Sequence, residues 1–473
     1  MRSKVKLSAV VLALAVAWPA HSQPPAHAAN AHASKAHQSN THKPNTHASN
    51  KLPEAVTDAD YYDNGAPSDE KILLGQLLFW DKILSGNKNI SCATCHHSLT
   101  DTGDGLSLPV GEGGNGLGMA RDTGIGADAI VERVPRNAPP VWNLGARSMT
   151  FMFHDGRVTA DPEEESGFST PAGGDLPAGL DNVLAAQAMF PVTSGTEMAG
   201  QEGENNIADA ADSGDLPGVW EQLAERLRDI PEYVDLFSSA FDGVSEAEDI
   251  TYVHAANAIA AYEATAFRAD NSPFDKYLRN DKRAMSPAAK RGMRLFYGSA
   301  QCSSCHSGKF QTDMSFHAIA MPQIGNGKGN GLNGHDDFGR FNASGEDEDM
   351  YRFRTSPLRN VALTGPWGHD GAYNTLSEVV EHHLDALAAL ENYDTDQAVL
   401  PPRDDFKVID FEIHNDPESR AALAAASEIE PVSLNERSFD DLMAFLHALT
   451  DTDSLDIRHT MPISVPSNLP LAD

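Results

Sequence analysis

The sequence predicts a mainly α-helical chain made of two related domains wrapped by long loops, and three observations carry that expectation. Clear alternation of apolar and polar residues, the mark of half-buried strands, is scarce along the 473 residues. A stretch of helical character occurs twice, Gly75-Gln-Leu-Leu-Phe79-Trp80 in the first half answering Gly292-Met-Arg-Leu-Phe296-Tyr297 in the second. All four cysteines then fall in two copies of one pattern, each downstream of its copy of that stretch: Cys92-Ala-Thr-Cys95-His96 and Cys302-Ser-Ser-Cys305-His306.

The cysteine pattern is the spacing of covalent haem attachment. Two thiols add across the two vinyl groups of a haem, and the histidine that follows swings beneath the ring to ligate iron. Zinc sites and disulfides are the alternatives. Zinc ribbons bring their Cys-x-x-Cys pairs much closer in sequence than these two, and neither alternative needs a histidine directly after each pair. Two copies that use every cysteine therefore point to two haem c groups, on Cys92, Cys95, His96 and on Cys302, Cys305, His306.

From the N-terminus, Arg2, Lys4 and Lys6 precede an apolar run from Leu7 to Trp18 and then Ala20-His21-Ser22, the layout of a secretory signal peptide over residues 1–22. The run is too short for a membrane span, and no later stretch approaches the roughly 20 apolar residues that spanning takes. An exported protein without a membrane span is expected. Residues 23–52 form a linker of Ala, His, Asn, Ser and Pro in which His27, His32, His37, His42 and His47 recur at every fifth position. That composition does not bury enough surface to fold. It reads as a flexible tether, or alternatively as a tract that loosely binds transition metal or haem.

The rest divides into a first haem domain over 53–275, a second over 276–455 and a C-terminal tail over 456–473. Ser286-Pro287 starts the second pre-motif helix as a cap followed by proline. Ile250 to Phe267 is alanine-rich and helical, and Asp270-Asn271-Ser272-Pro273 breaks it. Gly and Pro crowd the stretches Gly103 to Gly126, Pro171 to Pro177 and Gly325 to Gly339, which read as loops around the haems. The net charge of −33 makes nucleic acid an improbable partner and would steer a basic or dipolar electron carrier towards the surface.

Several ordered motifs between about residues 70 and 450 resemble the bacterial di-haem cytochrome c peroxidase family, whose relatives include MauG-type enzymes that oxidise protein side chains. They are Leu-Leu-Phe-Trp-Asp81 with Leu84-Ser85, Arg136-Asn137-Ala-Pro139, Phe153-His154-Asp155-Gly156-Arg157, Ala186-Gln187-Ala188, Pro191-Val192 to Glu197-Met198, Ser356-Pro357-Leu358-Arg359-Asn360 and His369-Asp370-Gly371. The resemblance implies two cytochrome c-like haem domains, a periplasmic location, and reduction of hydrogen peroxide with electrons from a small cytochrome c or cupredoxin. It makes the N-terminal haem, with His96 proximal, the one that meets peroxide. The acid/base that moves the peroxide proton then matches Glu197, with Gln187 beside it.

The second haem is implied to be the electron-entry centre, with His306 proximal. Its other ligand lies in the helix after His369-Asp-Gly, and counting along brings His383 to that place. Helical geometry agrees, because His383 shares a face with Leu376, Val379 and Val380 while His382 has Glu378 behind it. His369 is expected near the same haem. A calcium ion between the domains is also implied, with Asn137, Thr364 and Pro366 at the matching positions; oxygen donors of this kind suit a hard cation. Members often dimerise, although no interface is legible here.

Two departures stand out. The family's bridging tryptophan is His154, and Glu112 stands at the interval from His96 where many members place a histidine that caps the resting peroxidatic haem. Without that cap the haem would be open at rest and need no reductive activation. The rival readings are a MauG-like enzyme directed at a partner protein's side chains and a di-haem electron carrier without catalysis.

Overall fold

The computed structural model describes residues 51–126 and 129–472. The expected signal peptide, and the histidine tract up to Asn50, lie outside the described residues. Among the described residues the fold is mainly helical. In chain order the α-helices are α1 (Asp69–Trp80), α2 (Cys92–Cys95), α3 (Val183–Ala188), α4 (Asn206–Asp212), α5 (Leu216–Arg228), α6 (Pro231–Ala240), α7 (Tyr252–Ala266), α8 (Pro273–Leu278), α9 (Pro287–Phe296), α10 (Phe341–Ser344), α11 (Leu376–Leu384), α12 (Ala386–Glu391), α13 (Glu412–Asn415), α14 (Pro417–Ala426) and α15 (Glu436–His447). The strands are short: β1 (Phe151–Met152), β2 (Val158–Ala160) and β3 (Phe168–Ser169) form an antiparallel sheet, and β4 (Phe316–His317) pairs antiparallel with β5 (Phe353–Arg354). Strands of two or three residues are too short for a period-2 pattern to register in the sequence.

Local chemistry sets the pre-motif helices. Ser68 accepts from the Lys71 amide at the start of α1, where Asp69 and Glu70 also suit the positive end of the helix dipole. Ser286 accepts from the Ala289 amide ahead of Pro287 at the start of α9, as the sequence indicates. Each helix then crosses a partner at a glycine. A Cβ on Gly75 would stand 1.8 Å from the Ala258 carbonyl oxygen of α7, and a Cβ on Gly292 would stand 1.8 Å from the Asp441 carbonyl oxygen of α15. Only glycine admits so close a backbone approach. Phe79 packs on Tyr262 with centroids 5.3 Å apart, and Phe296 packs on Phe445 at 5.1 Å. Each aromatic lies four residues beyond its glycine, and each partner ring four beyond the contacted carbonyl, so the two crossings repeat one another residue by residue.

Two main cores follow. The first gathers buried apolar residues of α1, α3, α5, α6 and α7; the second gathers those of α8, α9, α11 and α15, Phe274 of α8 among them. Residues 456–472 return to the first core, where Ile457 and Val465 are buried. Thr460 accepts from Tyr262 and Gln76, and Ser467 Oγ donates to buried Asp81 at 2.6 Å. Buried ion pairs join the halves of the chain. Arg136 forks onto Asp337 at 2.7 and 2.8 Å while its third nitrogen meets Asp155 at 2.6 Å, and Arg133 is bidentate to Asp410. Burial opposes the charge on Asp155, yet Arg136 and Arg157 hold its carboxyl well below the usual range.

Candidate functional site

The two Cys-x-x-Cys-His loops hold their histidines alike. The His96 amide bonds the Cys92 carbonyl at 3.0 Å and its Nδ1 donates to the Thr102 carbonyl at 3.1 Å; the His306 amide bonds the Cys302 carbonyl at 2.9 Å and its Nδ1 donates to the Gln311 carbonyl at 3.2 Å. With Nδ1 committed, Nε2 is the ring nitrogen left to face a metal. Desolvation lowers the pKa of both rings, that of His306 to about 4 with His383 adding to the effect, so both are neutral at pH 7.

Beside the first loop lies a cleft lined by Cys92, Cys95, His96, Asn137, His154, Gln187, Glu197 and Glu263 together with Arg136, Arg157, Lys328 and Arg354. The lining suits a haem in three ways: two thiols and an imidazole, apolar side chains such as Phe79, Ile90 and Met152, and four cationic side chains, Arg136, Arg157, Lys328 and Arg354, opposite in sign to carboxylate substituents.

Gln187 lies in α3, whose start is fixed by Asn182 accepting from the Leu184 and Ala185 amides. Glu197 sits in a π-helical turn, Gly195–Ala199, closed by the Ala199 amide on the Ser194 carbonyl at 2.9 Å. Such wide turns are frequent at functional sites. Desolvation raises the Glu197 pKa, against the pull of Arg157 and Lys328. Arg157 lies over the Phe153 ring at 3.6 Å and also pairs with Asp155. Lys328 comes from the Gly325 to Gly339 loop of the second half of the chain, so both halves build this cleft.

Glu263 also lines the cleft, and sequence reasoning assigned it no role. It lies in α7, desolvation pushes its carboxyl up to about 8, and its Oε2 is buried without a hydrogen-bond partner among the described residues. The signal was an acidic residue within an alanine-rich apolar helix.

Around the second loop, His306 faces His383 of α11 with ring centroids 6.2 Å apart. Two imidazoles that share one iron at about 2 Å each place their centroids about 6 Å apart, so the spacing fits a common metal. His383 Nδ1 donates to the Val379 carbonyl at 2.7 Å, which leaves Nε2 for the His306 side. Its neighbour His382 is fully buried with both nitrogens engaged: Tyr373 donates to Nδ1 at 2.9 Å and Nε2 donates to the Ile319 carbonyl at 2.8 Å. His317, another residue the sequence reading passed over, is held between Asp313 and Glu428 beside Cys305.

His154 lines the first cleft. Its Nε2 donates to the Asn137 carbonyl at 3.1 Å, and desolvation, with Arg136 and His369 nearby, drives its pKa to about 3. Its carbonyl accepts from the Arg354 amide at 2.8 Å, and two residues on the Ser356 carbonyl faces the His306 ring. The segment 354–356 thus joins the first cleft to the second loop. His369 stacks on Phe353 at 3.7 Å, and its carbonyl accepts from the Asn137 amide. The Asn137 side-chain amide donates to the Leu106 and Ser107 carbonyls, and no protein donor reaches its Oδ1 among the described residues. No hydrogen bond joins Asn137 to Thr364 or Pro366 among those residues. Glu112 is buried but does not line the cleft.

Comparison with known proteins agrees with this geometry. Residues 69–283 match the family described as di-haem cytochrome c peroxidase. The chain is 30% identical to the methylamine utilization protein MauG of Methylorubrum extorquens, over 80% of this chain and 78% of that one. It is 31% identical to the cytochrome c551 peroxidase of Pseudomonas aeruginosa, over 70% of this chain and 75% of that one. Among solved structures, a MauG-like protein associated with microbial copper homeostasis superposes with a TM-score of 0.55 at 25% identity, covering 86% of this chain and 95% of the other. The chain therefore belongs to the di-haem cytochrome c peroxidase family, oxidoreductases that act on peroxide and carry haem c.

Proposed function

We propose that this protein is a periplasmic di-haem peroxidase that reduces hydrogen peroxide to water with electrons from a small cytochrome c or cupredoxin. The observation that carries the reading is the pairing of one open and one closed site. A desolvated Glu197 and Gln187 share the first cleft with Cys92, Cys95 and His96, whereas His306 is faced by His383. The repeated helix crossings at Gly75 and Gly292 support two cytochrome c-like haem domains.

When bound, each haem supplies an iron able to exchange electrons, and the first also supplies the site at which peroxide binds. Glu197 takes a proton from the near oxygen of hydrogen peroxide and returns it to the far one, so that water leaves rather than hydroxide. Gln187 orients the substrate by its amide. Two electrons from the donor and two protons complete the reduction to two waters. On the second side, His306 and His383 are the residues that would hold the haem iron. Paired imidazoles lack the potential-raising thioether of methionine-ligated relatives, so this centre has the lower potential. His96 and His154 are the histidines lining the first cleft, and His154 Nε2 is engaged by Asn137, which supports a first site open at rest. The orientation of the Asn137 amide supports a calcium ion at Asn137, Thr364 and Pro366; chelation is expected to lower thermal stability and shift the haem spin state.

A MauG-like role towards a partner protein is the second reading, favoured by the 30% identity to MauG and by a histidine, His383, in place of methionine. The deciding experiment mixes fully oxidised protein with peroxide and reduced small cytochrome c. Rapid oxidation of the cytochrome without prior reduction of the enzyme supports the peroxidase reading. Peroxide consumption with no cytochrome oxidation supports the MauG-like one.

A further inference from the structure

The loop after the first Cys-x-x-Cys-His motif is held with unusual care for a glycine-rich segment. Arg121, itself buried, donates from Nε to the Val110 carbonyl at 2.6 Å and from its two terminal nitrogens to the Gly116 and Gly111 carbonyls at 2.8 and 2.9 Å. Glu112, also buried, accepts at one oxygen from the side-chain amides of Asn87 at 2.8 Å and Asn89 at 2.6 Å. Its own amide donates to the Thr196 carbonyl at 3.1 Å. The approach is so close at the preceding residue that a Cβ on Gly111 would stand 1.9 Å from that same Thr196 oxygen.

Thr196 directly precedes Glu197 in the π-turn. The far side of that turn is held too, by the Gly86 backbone amide on the Met198 carbonyl at 2.8 Å and the Asn205 side-chain amide on the Ala199 carbonyl at 3.0 Å. Asn205 in turn donates to Asn87, the residue that grips Glu112. One network therefore seizes the turn on both flanks of Glu197 and leaves its side chain to face the cleft.

We propose that Glu112 is a positioning residue for Glu197, holding through Asn87, Asn89 and the Thr196 carbonyl the π-turn that aims the Glu197 carboxyl into the cleft. Glu112 does not touch the substrate. Its carboxylate collects two amides of the 87–89 loop, which presses its own backbone against Thr196, and a misplacement of about 1 Å in a proton-moving group can cost two orders of magnitude in rate. The inference rests on the reading of Glu197 as the acid/base.

The test is a double-mutant cycle on the oxidised holoprotein, reading the second-order rate constant for peroxide by stopped-flow from acid to neutral pH, with haem content and thermal midpoint alongside. Glu112→Ala is expected to slow the reaction by about ten-fold or more and to flatten the acid limb of the pH profile; Glu112→Gln, which keeps an acceptor oxygen, restores most of the rate. In the Glu197→Gln background Glu112→Ala is expected to add nothing. If Glu112→Ala does not fold, exposed Asn89→Ala removes one amide from the same carboxylate and is expected to shift rate and profile in the same direction. Multiplication of the two effects in the double mutant, or a lowered midpoint with unchanged rate and pH profile, overturns the inference alone. A Glu197→Gln variant as fast as the parent overturns the reading of Glu197 and the inference with it.

Discussion

The two Cys-x-x-Cys-His sites agree on one side and differ on the other. On the attachment side they match: a glycine-bearing helix crossing, an aromatic four residues on, and a histidine whose Nδ1 is spent on a nearby carbonyl, Thr102 for His96 and Gln311 for His306. On the opposite side the first site meets a π-turn with a desolvated carboxyl, and the second meets the imidazole of a regular helix. The difference teaches that holding the cofactor and choosing its chemistry are separate tasks. Short local sequence performs the first. What the rest of the chain brings to the far face performs the second: under the proposed function, an open face with an acid/base takes a small oxidant, and a face closed by an imidazole passes electrons.

The largest way to break that contrast is Glu197→Gln, which should slow the peroxide reaction by about 10²–10⁴-fold while leaving the spectrum of the second site unchanged. In the parent protein the rate should fall on acidification, because the base must be ionised, with a midpoint above the ordinary glutamate value of 4.5 since desolvation raises this group; the acid limb should vanish in the variant. Stopped-flow across pH decides both.

Next come Gly75→Ala and Gly292→Ala, which test the likeness of the attachment sides. Alanine favours a helix over glycine by about 1 kcal/mol, but the new methyl meets a backbone carbonyl that moves only if the helices separate, so each variant should lose about 1–3 kcal/mol. Equal losses in chemical denaturation would uphold the equivalence, and a loss at only one crossing would break it.

Glu263→Gln should act through pH. The folded pKa of about 8 lies above the unfolded value near 4.5, so the folded state binds the extra proton and the parent loses stability as pH rises from about 4.5 to 8. Glutamine removes that slope. The variant's thermal midpoint should exceed the parent's at pH 8 and approach it at pH 5.

The smallest effect on turnover chemistry is expected from His383→Met. The potential of the second site should rise, read by redox titration, while peroxide reacts with the first site at the parental rate. The same change at His382 should instead destabilise the protein, because Tyr373 and the Ile319 carbonyl lose their partner.

The sequence by itself determined the paired Cys-x-x-Cys-His spacing, the helix start at Ser286-Pro287 and a helix within Ile250 to Phe267, which runs Tyr252–Ala266, because residue spacing, capping and helical periodicity are written in neighbouring residues. The choice of His383 over His382 came from the family resemblance, with the helical face in support. Only the tertiary structure decided the rest. It gathers Gln187, Glu197 and Lys328, far apart in sequence, around the Cys92–His96 loop, and adds Glu263, whose raised pKa is a product of burial rather than of residue type. It likewise turns Glu112 away from the cleft and into the grip of Asn87 and Asn89. The chain folds residues 456–472 back onto the first core and bridges the two loops with segment 354–356, a connection made by backbone hydrogen bonds. Such contacts depend on which surfaces long loops bring together, and no local pattern of side chains encodes that choice.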